Sequence, residues 1–220
     1  MLKEIDTVIL DLGGVLLNVD YPGTARAFAE LGHHDFDRLY SKARQNDLFN
    51  RFETGELDGA GFRKELRGLL GLELSDMQID HCWNAMLGEI PPERIDAVKE
   101  LRKRFQLLLL SNTNSIHVQA FTRIVMEKNG IEDLRELFDG AYFSNEMGAR
   151  KPDTQIFLDI LAQHEAIPER SLFIDDSPQH VEGARKAGLQ AIHLDLAKED
   201  LLGLLSRSGL LDRPVVRQLS

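Results

Sequence analysis

The chain has 220 residues and a formal net charge of −10, with 43% hydrophobic and 28% charged residues, enough for one large domain or for a core carrying a smaller insertion. It is too apolar for a disordered chain. Its acidity argues against nucleic acid as a partner, because a phosphate backbone is met by clustered Lys and Arg.

In chain order, the residues from Met1 to Glu4 lack a signal-peptide pattern and lead into a short apolar run, Val8–Leu10. From about Asn18 to Glu89 the pattern is helical, with no convincing strand. Phe62, Leu66, Leu69 and Leu70 make one apolar face, and Ser75-x-x-Gln78 has the form of a capping box before Ile79, Trp83 and Met86. The single cysteine, Cys82, rules out an intrachain disulfide and reads as a small apolar helix residue beside Trp83. Behind Pro91-Pro92, the residues Ile95, Val98, Leu101 and Phe105 recur at helical spacing. Arg102-Lys103-Arg104 closes this helix, where cations are favoured without any ligand.

Strand and helix then alternate. The apolar runs Leu107–Leu110, Ala141–Phe143, Leu172–Ile174 and Ala191–Leu194 are short and bounded by polar turn formers, as buried parallel strands are. Between them, Ile156, Phe157, Ile160 and Leu161 form one helical stripe, and Val181, Ala184 and Ala187 form another that stops at Gly188. The alternation predicts βαβ units and a doubly wound parallel α/β sheet, Rossmann-like in architecture. Residues 1–17 and 90–220 form its core domain, and residues 18–89 a small α-helical cap inserted after the first strand. The residues after Gly209 read as a loosely docked tail. No apolar run is long enough to span a bilayer, so the expectation is a cytoplasmic protein without a membrane partner, either monomer or homodimer.

Parallel strands bring their carboxyl ends to one edge of a sheet, where ligands bind in open α/β folds. There the sequence places Asp11-Leu12-Gly13-Gly14-Val15, Ser111-Asn112-Thr113-Asn114 and Asp175-Asp176-Ser177, with Arg150-Lys151-Pro152 ahead of the helix at Ile156. Singly, Asp11 is as well explained by a turn cap, Ser111-Asn112 by a helix start and Lys151 by solvent. Adjacent carboxylates after a buried strand are different, since they repel unless a cation or a lysine compensates them.

Together and in this order, the four segments resemble the motifs of the haloacid dehalogenase-like (HAD) hydrolase superfamily. The wording of the first two resembles its sugar-1-phosphate phosphatase branch. The resemblance implies a magnesium-dependent phosphatase acting on a small phosphorylated metabolite, with Asp11 as nucleophile and an aspartyl-phosphate intermediate. It implies Mg²⁺ ligation by Asp11, the Gly13 carbonyl and Asp176, and phosphate binding by Leu12, Gly13, Ser111, Asn112 and Lys151. Lys151 would also neutralise developing charge, with Asp175 supporting Lys151 or a metal-bound water from outside the ligand set.

Gly13 departs from the commonest first motif, which carries there the aspartate that protonates the leaving oxygen and activates water. Its loss costs on the order of 10²–10⁴ in rate and favours leaving groups that need little protonation, such as anomeric, acyl or aryl phosphates. Asp20 reads either as a stand-in acid or as a surface loop residue. His180 replaces the usual Asn or Asp tether of the fourth motif and is expected beside Asp176 on a helix. His33-His34 lies in the cap, where it could touch substrate, and a metal site there is not expected. Two rival readings are a metal-free 2-haloacid dehalogenase and a phosphate- or partner-binding protein of little or no turnover.

Overall fold

The computed structural model describes residues 4–34, 47–71 and 73–211; beyond Leu211, the expected tail lies outside the described residues, as does the Leu70 side chain. Five parallel strands form one sheet, β1 (Thr7–Leu10), β2 (Gln106–Ser111), β3 (Gly140–Phe143), β4 (Ser171–Asp175) and β5 (Gln190–His193). Their order is β3-β2-β1-β4-β5, so the direction of winding reverses between β1 and β4. This is the doubly wound α/β sheet that the alternating pattern predicts.

The apolar runs are continuous because both faces of the sheet are covered. Val8, Leu10, Leu107, Leu109, Leu172 and Ile174 point to one side, against Ile95, Val98 and Leu101 of α5 (Pro92–Arg102), Phe121 and Val125 of α6 (Ser115–Asn129), and Leu201, Leu204 and Leu205 of α10 (Leu201–Arg207). Ile9, Leu108, Leu110 and Phe173 point to the other. There they meet Ile156, Phe157, Ile160 and Leu161 of α8 (Thr154–Gln163) and Ala184 of α9 (Pro178–Lys186). At the end of α5, Arg102 pairs with Asp139 at 3.0 Å and Lys103 with Glu100 at 2.5 Å.

Between β1 and β2 the chain forms α1 (Gly23–Glu30), α2 (Leu48–Glu53), α3 (Gly59–Leu70) and α4 (Asp76–Asn84). The capping box at Ser75 and Gln78 is present in both directions. These helices bury Phe28, Leu48, Phe49, Phe52, Phe62, Leu66, Ile79, Cys82 and Trp83 against one another, with Leu69 partly buried alongside. Ile116 of α6 enters the same cluster, so the helical group is seated on the sheet unit through α6. Four-residue α7 (Ser144–Met147) follows β3 directly. No helix among the described residues is long and apolar enough to cross a membrane.

Candidate active site

Strand register sets the site. Leu10 of β1 is level with Ile174 of β4, which makes Asp11 and Asp175 neighbours on the two sides of the switch point, and the Asp11 N–H bonds the Ile174 carbonyl at 3.0 Å. The loop after β1 closes on itself: the N–H groups of Leu16 and Leu17 bond the Leu12 carbonyl, and Gly14 bonds the Leu17 carbonyl. Buried Arg94 pins it from α5 through the Leu16 carbonyl and the Asn18 side chain, both at 3.0 Å. The N–H groups of Leu12 and Gly13 enter no turn or ladder bond among the described residues.

Lys151 is the organising cation, with no solvent exposure. Its Nζ donates to Asp11 Oδ1 at 2.6 Å, Asp175 Oδ2 at 2.7 Å and the Leu110 carbonyl at 2.9 Å, which satisfies all three ammonium hydrogens. The Asn112 side chain holds the Lys151 backbone from both sides, donating to its carbonyl and accepting from its N–H at 2.9 Å each. The resemblance implies only a phosphate contact for Asn112; its side-chain clamp on Lys151, 39 residues away, has no local signal in the sequence.

Asp175 is saturated. Besides Lys151, it accepts from the Ser177 N–H at 2.7 Å and lies 3.1 Å from His180 Nδ1 through each oxygen. His180 is on a helix as expected, but its bonded neighbour is Asp175 and not Asp176. Burial pushes Asp175 up, yet Lys151 and His180 outweigh it and hold the carboxyl well below the usual range. Burial likewise pulls the Lys151 ammonium down, and Asp11 and Asp175 more than restore it. Asp11 is pushed up to about 7, because burial and repulsion from Asp175 and Asp176 exceed the pull of Lys151. Asp176, also raised by burial, accepts from the Tyr21 hydroxyl at 2.7 Å.

The carboxylates of Asp11, Asp175 and Asp176 offer oxygens within 4.8 Å of one another. Three acidic groups against one ammonium leave a local surplus of negative charge. Asp11 Oδ2 and Asp176 Oδ1 have no protein hydrogen bond among the described residues. A cluster of hard oxygen donors with uncompensated charge fits a divalent cation such as Mg²⁺.

A cavity of about 1010 Å³ opens over these groups. Its floor includes Asp11, Leu12, Gly13, Ser111, Asn112 and Asp176, and among the described residues Ser111 Oγ makes only a long 3.5 Å contact to the Asn112 carbonyl. Its roof comes from the inserted helices and their connections, through Tyr21, Asp47, Phe49, Asn50, Glu53 and Met86. Asp20 is exposed, ion-paired with Arg26 and absent from the lining, a surface loop residue. Its neighbour Tyr21 reaches the site instead. No sequence signal marked Tyr21, since its partner Asp176 is 155 residues away. Neither His33 nor His34 belongs to a cluster of ligand-type residues among those described.

A doubly wound parallel sheet that gathers a carboxylate cluster around a buried lysine at its switch point is the setting of a hydrolase with Rossmann-like architecture. The chain belongs to the haloacid dehalogenase-like hydrolases, whose family profile matches residues 5–188. It is 30% identical to the D-ribitol-5-phosphate phosphatase of Bacteroides thetaiotaomicron over 84% of this chain and 90% of that one. It is 28% identical to a phosphorylated carbohydrates phosphatase of Thermotoga maritima over 86% of this chain and 84% of the relative. In three dimensions it is similar to a HAD family enzyme from Bacteroides thetaiotaomicron solved with magnesium and inorganic phosphate. The TM-score is 0.80 at 30% identity, covering 91% of this chain and 98% of that one.

Proposed function

We propose that this protein is a magnesium-dependent phosphatase of small phosphorylated metabolites, a sugar or polyol phosphate above all, with residues 18–89 as a cap over the reaction centre. The observation that carries this reading is the Asp11–Lys151–Asp175 triad beside Asp176: a nucleophile, a fixed ammonium and a surplus of carboxylate oxygens in one cavity. The relatives named above, both phosphatases of phosphorylated carbohydrates or polyols, support the substrate class.

Lys151 ties down Asp11 Oδ1 and leaves Oδ2 as the attacking oxygen. As the bond from Oδ2 to phosphorus forms, the ester P–O bond breaks and the leaving oxygen takes its proton from water, because Gly13 has none to give. Water then opens the aspartyl-phosphate, releasing phosphate and restoring Asp11. Leu12 and Gly13 N–H groups, the Ser111 hydroxyl and the Asn112 N–H hold the phosphoryl oxygens, while Lys151 balances their charge. Asp11, Asp176 and the Gly13 carbonyl would hold Mg²⁺, which when bound neutralises phosphate charge and relieves the repulsion among the carboxylates. Asp175 and His180 position Lys151. The carboxylate surplus stands against a metal-free dehalogenase, whose carboxylate substrate it would repel.

Gly13 and the Bacteroides relative point to different leaving groups, since ribitol 5-phosphate is the ester of an ordinary alcohol. A panel of anomeric, acyl, aryl and polyol phosphates, assayed for phosphate release with and without magnesium, tests the reading. Magnesium-dependent turnover that falls by at least about 10³-fold in Asp11→Asn is expected. Silence across the panel would instead favour a phosphate- or partner-binding protein.

A further inference from the structure

Part of the roof of the cavity is polar. Asn50 and Glu53 lie three residues apart on α2 and line the cavity, while Leu48, Phe49 and Phe52 are buried. Across the cavity stands Arg150, the residue before the catalytic lysine. Arg150 Nη2 lies 3.1 Å from Glu53 Oε2, and its Nη1 is 3.4 Å from Asn50 Oδ1. The pair is incompletely satisfied. Glu53 Oε2 and Arg150 Nε are both shut from solvent; Oε2 has only the Arg150 ion pair, and neither Arg150 Nε nor Glu53 Oε1 makes a hydrogen bond among the described residues. Both side chains still show surface, 26% for Glu53 and 32% for Arg150.

Resting on the phosphatase reading, we infer that Asn50, Glu53 and Arg150 form the subsite for the leaving group and select a neutral, hydroxyl-rich one such as an open-chain polyol or sugar. A hydroxyl both donates and accepts. A vicinal diol can therefore donate to the Glu53 carboxylate and accept from the Arg150 guanidinium or the Asn50 amide. Because the carboxylate and the guanidinium cancel each other, the subsite has no net charge with which to attract an ammonium or a second anion. Burial disfavours the charged form of Glu53, with Arg150 opposing that, so a hydroxyl donated to Oε1 stabilises the carboxylate.

The test compares three probes on the magnesium-loaded protein: a pentitol 5-phosphate, phenyl phosphate, and a phosphorylated short carboxylic acid. For Glu53→Ala, kcat/KM on the pentitol phosphate is expected to fall about 10- to 100-fold while phenyl phosphate changes by less than about 3-fold. Unpaired Arg150 should then raise activity on the carboxylic acid relative to phenyl phosphate, an inversion that a structural role for Glu53 would not produce. Asn50→Ala, which leaves the ion pair in place, should show the same selective loss at a few-fold and decides the matter if Glu53→Ala fails to fold. Parallel changes on all three probes, or none, overturn the subsite while leaving the phosphatase intact. No turnover of any probe by the unaltered protein overturns both.

Discussion

A β-carbon built on Gly14 would come within 2.3 Å of Asp176 Oδ2, and the residue's φ of +77° is one that only glycine adopts without strain; one on Gly13 meets only Val19 Cγ2, at 3.4 Å. Gly14 is therefore required by the carboxylate it cradles, whereas nothing steric requires glycine at 13. This makes the proposed lack of an acid–base at position 13 testable by restoration. Gly13→Asp should leave the fold intact and raise kcat on alkyl phosphates by about 10²-fold, the usual worth of a positioned proton donor. Aryl phosphates, whose leaving groups need no proton, should gain less than about 3-fold. Equal gains on both, read from steady-state kinetics, would mean that proton transfer is not what the glycine withholds. Lys151 argues the complementary case. It is buried between two carboxylates, so deleting it leaves two unpaired buried charges and destabilises the fold together with whatever part it takes in the proposed reaction.

Among the elements, α4 and α6 are joined by a column of rings. Phe49 stacks on Trp83 at 5.4 Å, and Trp83 stacks on His117 at 5.4 Å. His117 Nε2 meets the Trp83 carbonyl at 3.2 Å while Asn114 Nδ2 faces its Nδ1, the pattern of a neutral ring protonated on Nε2. Burial lowers its pKa to about 4, with the Trp83 carbonyl opposing. Below about pH 6.5 the unfolded chain therefore takes up a proton that the folded one refuses. Stability from this residue is complete above 6.5 and falls by up to about 3 kcal/mol on acidification to pH 4. Chemical denaturation at saturating magnesium should show His117→Gln with a shallower decline across that window. An unchanged slope would mean that the ring is protonated in place. This column was not legible in the sequence. The strands were, because burial on both faces forces continuous apolar runs such as Leu107–Leu110, and so were the strand-end carboxylates, because parallel strands share one edge. Contacts made across 34 residues by His117 and Trp83, or 100 by Arg150 and Asn50, leave no local pattern: a lone histidine or arginine looks the same whether it is solvated or packed.

At the scale of the molecule, the sheet brings three acidic groups to one place at an energetic cost that magnesium should relieve. Binding to the folded chain alone stabilises it by RT ln(1 + [Mg²⁺]/Kd), about 2.7 kcal/mol at a hundredfold excess over Kd. For a chain of this length that corresponds to a rise in melting temperature of roughly 5–10 °C. Without the metal, Asp11 and Asp176 are both held above their ordinary range, so the folded state binds more protons than the unfolded one. Their contribution to stability is accordingly present below about pH 4 and lost as pH rises toward 7. Two consequences separate the carboxylate cluster from a general salt effect. The magnesium-induced rise in melting temperature should grow from pH 5 to pH 8 as the aspartates ionise, and Asp176→Asn should remove it. The same substitution should leave the metal-free protein as stable as before or more so at pH 8, since it removes a like charge while keeping an oxygen for the Tyr21 hydroxyl. A variant that melts lower without magnesium and still responds to it would place the cation elsewhere, because only a group that repels its neighbours in the empty site and binds in the filled one reverses its effect in this way.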